Sequence, residues 1–379
     1  MTDFTRRDAL KLGAGASAAL GAGACSATPQ RVAADIESAT PLHELAGKKG
    51  VRFGSAMGAG QLDDARYKDI MRRECATMVA ENEHKWYTIY PDPRTVNFDP
   101  ADRLVTFAKD NGLTMRGHTL LWHREKWSPQ WVNDLEFESA SETAEFVEQK
   151  VARIAQRYDP FIYAWDVVNE AVDEETGAFR QTSLSARMGE QLIDHCFAVA
   201  KENAPNARLV YNDFMSWEST SAAHRAGVLR LLEGLKKRNV PIDGVGLQSH
   251  SNYEMPDEFT RQKQKNWIAF CDEITGMGLE LYITEFDVND TDLRPDIAYR
   301  DRLIADYTRD YFDLMLDYPQ LKEVLIWGMV DDQNWLQDFL PRTDGVLKRP
   351  TVYDENYKAK SMRTAIADSL RGAAYREPI

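Results

Sequence analysis

The sequence predicts an α/β protein of the (β/α)8 class, a TIM barrel formed by a single domain. From about residue 50 onward, short apolar runs alternate through eight cycles with longer segments in which apolar residues recur every three or four positions. The short runs are apolar at successive positions, as expected of parallel strands that are buried on both faces. An open, doubly wound sheet is the alternative. It is disfavoured because no glycine-rich phosphate-binding loop follows the first run, and because eight strands close a barrel.

The predicted strands and helices follow one another in a regular order. The strands are Val51–Met57, Thr77–Glu81, Leu113–Trp122, Ile162–Asn169, Arg208–Asp213, Gly244–Ser249, Leu279–Thr284 and Val324–Trp327. The clearest helical patterns are Glu142–Tyr158, Leu184–Asn203, Ala222–Arg238, Thr260–Met277 and Tyr299–Tyr318. Gly112 and Gly278 lie just before the third and seventh strands, where glycines that end helices are expected.

Composition limits the kinds of protein that this chain can be. The chain has 379 residues, 43% hydrophobic and 28% charged, which is ordinary for a soluble globular protein with a full core. Its net charge of -14 argues against a nucleic-acid-binding protein, because phosphate neutralisation needs clustered Lys and Arg. No Pro-, Gly- or Ser-rich linker and no repeat divides residues 41–374, which we expect to form one domain and to act as a monomer.

Residues 1–25 predict an export signal that is not part of the fold. The adjacent Arg6 and Arg7 precede a Gly- and Ala-rich apolar run from Leu12 to Ala24, a pattern typical of twin-arginine signals. A run this short would not span the ~30 Å hydrocarbon core of a membrane as a helix. Cys25 is either the lipidated first residue of a lipoprotein or a residue near an ordinary cleavage site. We therefore expect no transmembrane segment, and a periplasmic, outer-membrane lipoprotein or secreted location.

The remaining sequence before the domain, residues 26–40, is interpreted as an N-terminal linker. Three cysteines, Cys75, Cys196 and Cys271, follow the predicted signal. Their odd number and the absence of a Cys-x-x-Cys pair favour buried apolar side chains over a disulfide framework or a metal site.

Two glutamates at strand ends indicate the chemistry. Active sites of such barrels form at the carboxyl ends of the strands, where the fourth strand leads into Glu170 and the seventh into Glu285. Glycoside cleavage needs one protonated and one ionised carboxyl group. The apolar neighbours of Glu170 favour its protonated form and the role of acid. Glu285 lies within reach of His250 from the sixth strand, which would keep it ionised as the nucleophile, and Asp287 could orient that histidine.

Further polar and aromatic residues at strand ends predict a sugar-binding cleft. Side chains expected to hydrogen-bond sugar hydroxyls are Glu81, Asn82, Lys85 and His118. Side chains expected to offer flat apolar faces to pyranose rings are Trp86, Trp122, Trp327 and Trp335. Trp165 and Trp267, in contrast, are expected to pack in the core.

At these residues the chain resembles the xylanases of glycoside hydrolase family 10. The resemblance covers nearly the whole chain after the signal and rests on six segments in the family's order. They are Glu81-Asn82-x-x-Lys85-Trp86, Gly117 to His123, Trp165 to Ala171, Asp243 to His250, Ile283 to Asp287 and Trp327-Gly328-x-x-Asp331.

The resemblance implies a (β/α)8 barrel that hydrolyses β-1,4-xylan or xylo-oligosaccharides internally, with retention and without a metal or organic cofactor. It implies that Glu170 is the acid/base and Glu285 the nucleophile, and that Asn169 and Gln248 contact the sugar near its 2-hydroxyl. The positions that match the family's glycone side are Glu81, Asn82, Lys85, His118, Trp122, Asn169, Gln248, His250, Trp327 and Trp335.

Three segments depart from the family pattern. Glu125 stands where a Gln is usual, which affects the expected contacts of the outer glycone subsites. Phe214 and Met215 replace a common Tyr-Asn pair, so the leaving-group side is expected to be less polar. Met329 and Val330 replace the usual Val-Thr after the eighth strand.

Other functions remain open on the sequence alone. The barrel could act on other β-1,4-glucans or mixed xylosides. A binding protein that has lost catalysis is disfavoured because both glutamates are present. A metal-dependent hydrolase using His118, His123 and His250 is disfavoured because these histidines lack close ligand spacing.

Overall fold

A computed structural model describes residues 39–253 and 261–379 as a closed, parallel barrel of eight strands, with one additional short strand, His250–Asn252, that pairs with one of the eight. The predicted export signal, Cys25 and nearly all of the predicted linker lie outside the described residues. The strands are β1 (Arg52–Met57), β2 (Thr77–Ala80), β3 (Thr114–Trp122), β4 (Ile162–Asn169), β5 (Arg208–Asp213), β6 (Gly244–Leu247), β7 (His250–Asn252), β8 (Glu280–Asn289) and β9 (Leu321–Ile326). Strands β1 to β6 pair in sequence order, β6 pairs with β8, and β9 pairs with both β8 and β1, which closes the barrel.

Helices connect the strands on the outside of the barrel. They are α1 (Leu42–Gly47), α2 (Ala65–Glu74), α3 (Trp86–Ile89), α4 (Asp99–Asp110), α5 (Gln130–Asn133), α6 (Ala140–Tyr158), α7 (Gln191–Asn203), α8 (Ala222–Lys237), α9 (Arg261–Gly276), α10 (Ile297–Met315), α11 (Leu336–Phe339) and α12 (Ser361–Gly372). Gly112 and Gly278 have φ angles of 66° and 77°, the left-handed conformation expected of residues that end helices. The helix predicted from Leu184 begins only at Gln191, because turns occupy the residues before it.

Strand β8 extends five residues beyond its predicted end at Thr284, to Asn289. The short strand β7 causes this extension, because it adds parallel pairs along the upper part of β8, with His250 opposite Asp287. Glu285 therefore lies within a strand rather than after one. The eighth barrel strand, β9, begins three residues before its predicted start at Val324.

A buried ion-pair network occupies the barrel interior. Arg116 is fully buried and lies 2.5 Å from Asp166 Oδ1 and 2.9 Å from Glu323 Oε1. The other oxygen of Asp166 lies 2.9 Å from Nδ1 of His118. An unpaired charge at this depth would be costly, so these charged side chains stay paired. The contact with Asp166 in turn fixes the orientation of His118 beneath the cleft.

Within the described residues, Cys75, Cys196 and Cys271 are buried and form no disulfide, in agreement with the prediction that they are apolar core residues. Trp165 and Trp267 are also buried, as predicted. Within residues 39–253 and 261–379, no helix is long and apolar enough to cross a membrane.

Candidate active site

A cleft of about 640 Å³ lies at the carboxyl ends of the strands. Both glutamates and all the predicted binding residues except Trp86 line it, so the structure brings nearly the whole predicted set together. The lining residues that the sequence had singled out are Glu81, Asn82, Lys85, His118, Trp122, Asn169, Glu170, Gln248, His250, Glu285, Asp287, Trp327 and Trp335.

Glu285 is buried and surrounded by nitrogen donors. Its Oε2 lies 3.2 Å from Nε2 of His250, and its Oε1 accepts a hydrogen bond of 2.8 Å from Nδ2 of Asn212. His118 Nε2 lies 4.0 Å from the same Oε1. Burial raises the pKa of Glu285, but His118, His250 and Lys85 outweigh it and lower this pKa to about 2. The carboxyl group is therefore ionised at neutral pH.

His250 and Asp287 form the pair that the sequence predicted. Nδ1 of His250 lies 2.9 Å from Oδ1 of Asp287. The strand pairing of β7 with β8 sets this contact, and Ser249, with a φ of 63°, turns the chain between β6 and β7. Burial lowers the pKa of His250, but Asp287 and Glu285 outweigh it and raise this pKa to about 10. The imidazolium accordingly directs a positive charge at Glu285.

Glu170 follows β4 in the left-handed region, with a φ of 57°. This conformation is uncommon for a residue with a side chain and needs support from its surroundings. The support includes a hydrogen bond of 2.9 Å from its backbone N–H to the carbonyl of Asn212. The turn aims the side chain into the cleft while the preceding strand stays in the barrel wall.

The carboxylate of Glu170 has polar contacts, unlike the apolar setting that its neighbours in sequence suggested. Oε1 accepts hydrogen bonds from Gln248 Nε2 at 3.0 Å and Asn169 Nδ2 at 3.2 Å. Oε2 accepts one from Arg124 at 2.9 Å. The apolar side chains next to Glu170 in the sequence belong to the hydrophobic core instead: Val167, Val168, Ala171 and Val172.

The sequence analysis missed two further residues that contact the glutamates: Arg124, which lines the cleft, and Asn212, which is buried beneath it. Nδ2 of Asn212 donates both to Oδ1 of Asn169, at 2.9 Å, and to Glu285. Because Asn169 also contacts Glu170, a chain of side-chain amides links the two glutamates. Asn212 lies on a strand end that the sequence placed at the cleft. The position of Arg124 depends on the loop after β3 and gave no such signal.

The opposite side of the cleft is rich in aromatic rings around Lys85. Its Nζ lies 4.6 Å from the ring centroid of Trp122 and 5.7 Å from that of Trp327. Burial raises the pKa of Glu81 to about 6, an effect that Lys85 opposes. Trp86 does not face the cleft as predicted. It is buried in the core, where its Nε1 donates to the carbonyl of Leu120 at 2.6 Å.

Two loops meet at the rim of this aromatic region. Trp127, after β3, stacks on Trp122 with ring centroids 5.4 Å apart and planes 18° apart. Trp127 also lies 6.2 Å from the ring of Phe339 in α11, and Phe339 lies 4.9 Å from Trp335. The four rings form a continuous arc, called the aromatic arc below, between the loops that follow β3 and β9.

The residues that depart from the family pattern lie in different environments. Phe214 lines the cleft, with its ring centroid 5.2 Å from the guanidinium carbon of Arg124. Met215 is buried in the core. Glu125 is exposed at the start of a short 3-10 turn. Of the two residues that replace the Tyr-Asn pair, therefore, Phe214 is the one at the cleft surface.

The histidines considered as metal ligands make separate interactions. His123 lies 3.0 Å from the carbonyl of Arg180 and stacks on Phe179. His118 and His250 contact different aspartates. In the part of the chain that the structure describes, no group of three or more His, Cys, Asp or Glu is placed to hold a metal ion.

Comparisons with known proteins agree with this site. The chain is 32% identical over 333 residues to endo-1,4-beta-xylanase B of Thermotoga neapolitana, covering 87% of this chain and 91% of that protein. Its fold is similar to native xylanase 10B from Thermotoga maritima, with a TM-score of 0.78, 31% identity, and coverage of 88% and 98% of the two chains. Xylanase 10B from Thermotoga petrophila, solved with xylobiose, has a TM-score of 0.77 and 31% identity, with coverage of 91% and 99%. The model of glycosyl hydrolase family 10 matches residues 41–369, and the chain belongs to this family.

Proposed function

We propose that this protein is a retaining endo-β-1,4-xylanase in which Glu285 is the nucleophile and Glu170 the acid/base. The observation that carries the proposal is the unequal setting of the two carboxylates. Two histidines and a lysine keep Glu285 ionised. The carboxylate of Glu170, in contrast, accepts hydrogen bonds from one arginine and two amide side chains. Carboxyl groups with such different surroundings can take different roles in glycoside cleavage.

In the first step, Glu170 gives its proton to the glycosidic oxygen while Glu285 attacks the anomeric carbon. The bond to the leaving sugar breaks and a covalent xylosyl-enzyme forms. This double displacement needs the two carboxyl groups ~5–5.5 Å apart. The amide chain through Asn169 and Asn212, which contacts both carboxylates, supports such an arrangement.

In the second step, Glu170 removes a proton from a water molecule, which attacks the anomeric carbon and releases Glu285. The same group then serves as base where it had served as acid. The positive charge of His250 stabilises the departing carboxylate of Glu285, since Nε2 of His250 lies 3.2 Å from Oε2 of Glu285. No metal or organic cofactor takes part in either step.

The residues around the glutamates are proposed to bind the sugar on the glycone side. Asn169 and Gln248 are within hydrogen-bond distance of each other and of Glu170, so a 2-hydroxyl placed there would meet both amides. Trp327 and Trp335 would offer apolar faces to the pyranose ring. The xylobiose complex of the relative from Thermotoga petrophila supports a xylo-oligosaccharide as ligand.

Two variants assayed on two substrates test the assignment. Glu285→Ala should abolish hydrolysis of both xylan and an aryl xylobioside with a dinitrophenol leaving group. Glu170→Ala should lose activity on xylan but retain formation of the xylosyl-enzyme on the aryl substrate, whose leaving group needs no proton. Equal losses for both variants on the aryl substrate would contradict the roles. Faster hydrolysis of carboxymethyl cellulose than of xylan would contradict the substrate.

We also propose that the protein is exported by the twin-arginine route. The support is the Arg6-Arg7 pair followed by the Gly- and Ala-rich run. Replacing both arginines by lysine should keep the precursor in the cytoplasm, which fractionation would detect. Metabolic labelling with palmitate distinguishes the two interpretations of Cys25. A lipoprotein takes up label that Cys25→Ala abolishes, whereas a protein cleaved at an ordinary site takes up no label.

A further inference from the structure

Arg124 contacts the proposed acid/base directly, and neither of the two proposed steps gives it a role. It follows His123 directly after β3, and its side chain is 24% exposed. One terminal nitrogen donates to Oε2 of Glu170 at 2.9 Å, and the other donates to Oε1 of Glu174 at 2.8 Å. The planar guanidinium therefore bridges the proposed acid/base and a second carboxylate, a geometry suited to Arg and not to Lys.

Glu174 is itself held in place by a second arginine. Arg180 contacts Oε2 of Glu174 and lies 3.3 Å from Oδ2 of Asp173. Its Nε also donates to the backbone carbonyl of Glu170 at 3.1 Å. Burial lowers the pKa of Arg124, but its attraction to Glu170 and Glu174 outweighs this and raises the pKa. Arg124 therefore stays charged. Its contact with Glu174 can hold its side chain in place while Glu170 loses and regains its proton.

Charges reach Glu170 from several elements of the barrel. The titratable groups around it are Lys85 after β2, Arg124 after β3, Glu174 and Arg180 after β4, Tyr211 and Asp213 on β5, and Glu285 on β8. Gln248 and Asn169 complete the contacts as neutral donors. Among the residues that the structure describes, Arg124 is the cation that donates directly to the carboxylate, so its removal should change the balance of charge at Glu170 the most.

We propose that Arg124 is a positioning residue that holds Glu170 in its reactive orientation and sets the pH at which the enzyme loses its acid. This inference rests on the proposed function. The guanidinium stabilises the ionised form of Glu170, which is the form that the second step needs as a base. The first step needs the protonated form, so the same contact moves the alkaline limb of activity to lower pH than it would have without the arginine. Glu174 moderates the effect because it draws part of the positive charge away from Glu170.

The pH dependence of kcat/KM on an unactivated substrate, xylopentaose, tests this inference, since its alkaline limb reports the acid of the free enzyme. Arg124→Ser should move that limb to higher pH by about one unit. Arg124→Lys keeps the charge but can reach one carboxylate, so its limb should lie between those of wild type and Arg124→Ser. Glu174→Gln should move the limb in the opposite direction, by about 0.3 unit, because it frees Arg124 for Glu170 and removes a nearby anion.

A matched control is Arg208→Ser. Arg208 also bridges two carboxylates, Asp243 at 3.4 Å and Glu280 at 3.5 Å, but it lies at the opposite end of the barrel. This variant should leave the profile unchanged. On the dinitrophenyl xylobioside, whose leaving group needs no proton, Arg124→Ser should keep kcat/KM within about threefold of wild type at neutral pH.

Opposite shifts for Arg124→Ser and Glu174→Gln would support the inference, because a purely structural role gives no reason for opposite signs. An active wild type whose profile is unchanged by Arg124→Ser would overturn the inference and leave the proposed function intact. Equal losses of kcat/KM by Arg124→Ser on both substrates, with an unshifted alkaline limb, would also overturn the inference and leave the proposed function intact. A wild type inactive on both substrates would overturn the proposed function and the inference together.

Discussion

Trp335 Nε1 donates a hydrogen bond of 2.7 Å to Oδ2 of Asp287, the same carboxylate whose Oδ1 contacts His250. The ring of Trp335 also lies 5.0 Å from that of His250. One aspartate therefore orients both the histidine that faces Glu285 and an aromatic surface proposed to bind the sugar. Chemistry and binding should respond together when this carboxylate is changed.

Asp287→Asn should lower kcat and raise KM on xylan. The neutral amide cannot attract the imidazolium of His250, so the raised pKa of His250 should fall and Glu285 should lose part of its stabilisation. Loss of a carboxylate that orients a metal-bound histidine costs about 10- to 100-fold in activity, and by analogy we expect a fall of similar size here. Steady-state kinetics check this, with Asp344→Asn, a surface aspartate paired with Arg342, as control. An unchanged kcat would show that Asp287 does not orient His250 for catalysis.

Stability in acid should depend on Glu285. Its pKa in the folded protein is lowered to about 2 from an ordinary 4.5, so its interactions contribute fully above about pH 4.5 and are lost as the pH falls toward 2. The difference corresponds to at most about 3 kcal/mol. Urea unfolding between pH 5 and pH 2.5 should therefore show a smaller loss of stability for Glu285→Gln than for wild type. Parallel losses in both proteins would contradict the lowered pKa.

Stability at alkaline pH should depend on His250. Its pKa is raised from 6.5 to about 10, so its pairing contributes fully below about pH 6.5 and is lost as the pH rises through 10. Wild type should lose stability between pH 7 and pH 10 more steeply than His250→Asn, which has no such titration. Unfolding temperatures measured across that range check the difference, and identical slopes would exclude a charged His250.

The barrel and its two glutamates were predictable from sequence because both signals are local. Apolar runs identify buried strands, and the carboxyl ends of barrel strands identify the cleft, so Glu170 and Glu285 could be placed without coordinates. The conformation of Glu170 could not, since its left-handed backbone depends on contacts with β5. The surroundings of its carboxylate were likewise set by long-range contacts, above all Arg124, and not by neighbours in the chain.

Trp86 shows the same limit in the other direction. It lies in a sequence segment that ends at the cleft, yet the short helix α3 turns its ring into the core. Lys85, one residue earlier, points into the cleft. Adjacent residues at a strand end can therefore serve packing and binding, and the loop geometry that decides between them is not visible in the order of residue types.

Asn212 should couple the two halves of the site. Asn212→Ala would remove the amide donor to Oε1 of Glu285. It would also remove one of the two donors to Oδ1 of Asn169, which keeps its contact with Gln248. An unsatisfied buried acceptor costs about 1–3 kcal/mol, which corresponds to a fall of about 5- to 150-fold if the loss is expressed in the transition state. Values of kcat/KM on xylopentaose check the size of the effect. Asn97→Ala, outside the cleft, is the control, and a variant as active as wild type would exclude the coupling.

The aromatic arc should influence how the enzyme handles long substrates. Trp127 lies at its rim, between Trp122 and Phe339, where a sugar beyond the first glycone subsites would meet it. Trp127→Ala removes a ring whose stacking on a sugar would contribute about 1 kcal/mol to binding, so KM for xylohexaose should rise about fivefold. The KM for an aryl xylobioside, which is too short to reach the rim, should stay within twofold of wild type on the same reasoning. Tyr375→Ala, which removes a 63% exposed aromatic ring near the carboxyl terminus, should change neither value. Equal rises in KM for the long and the short substrate would place Trp127 outside the binding path.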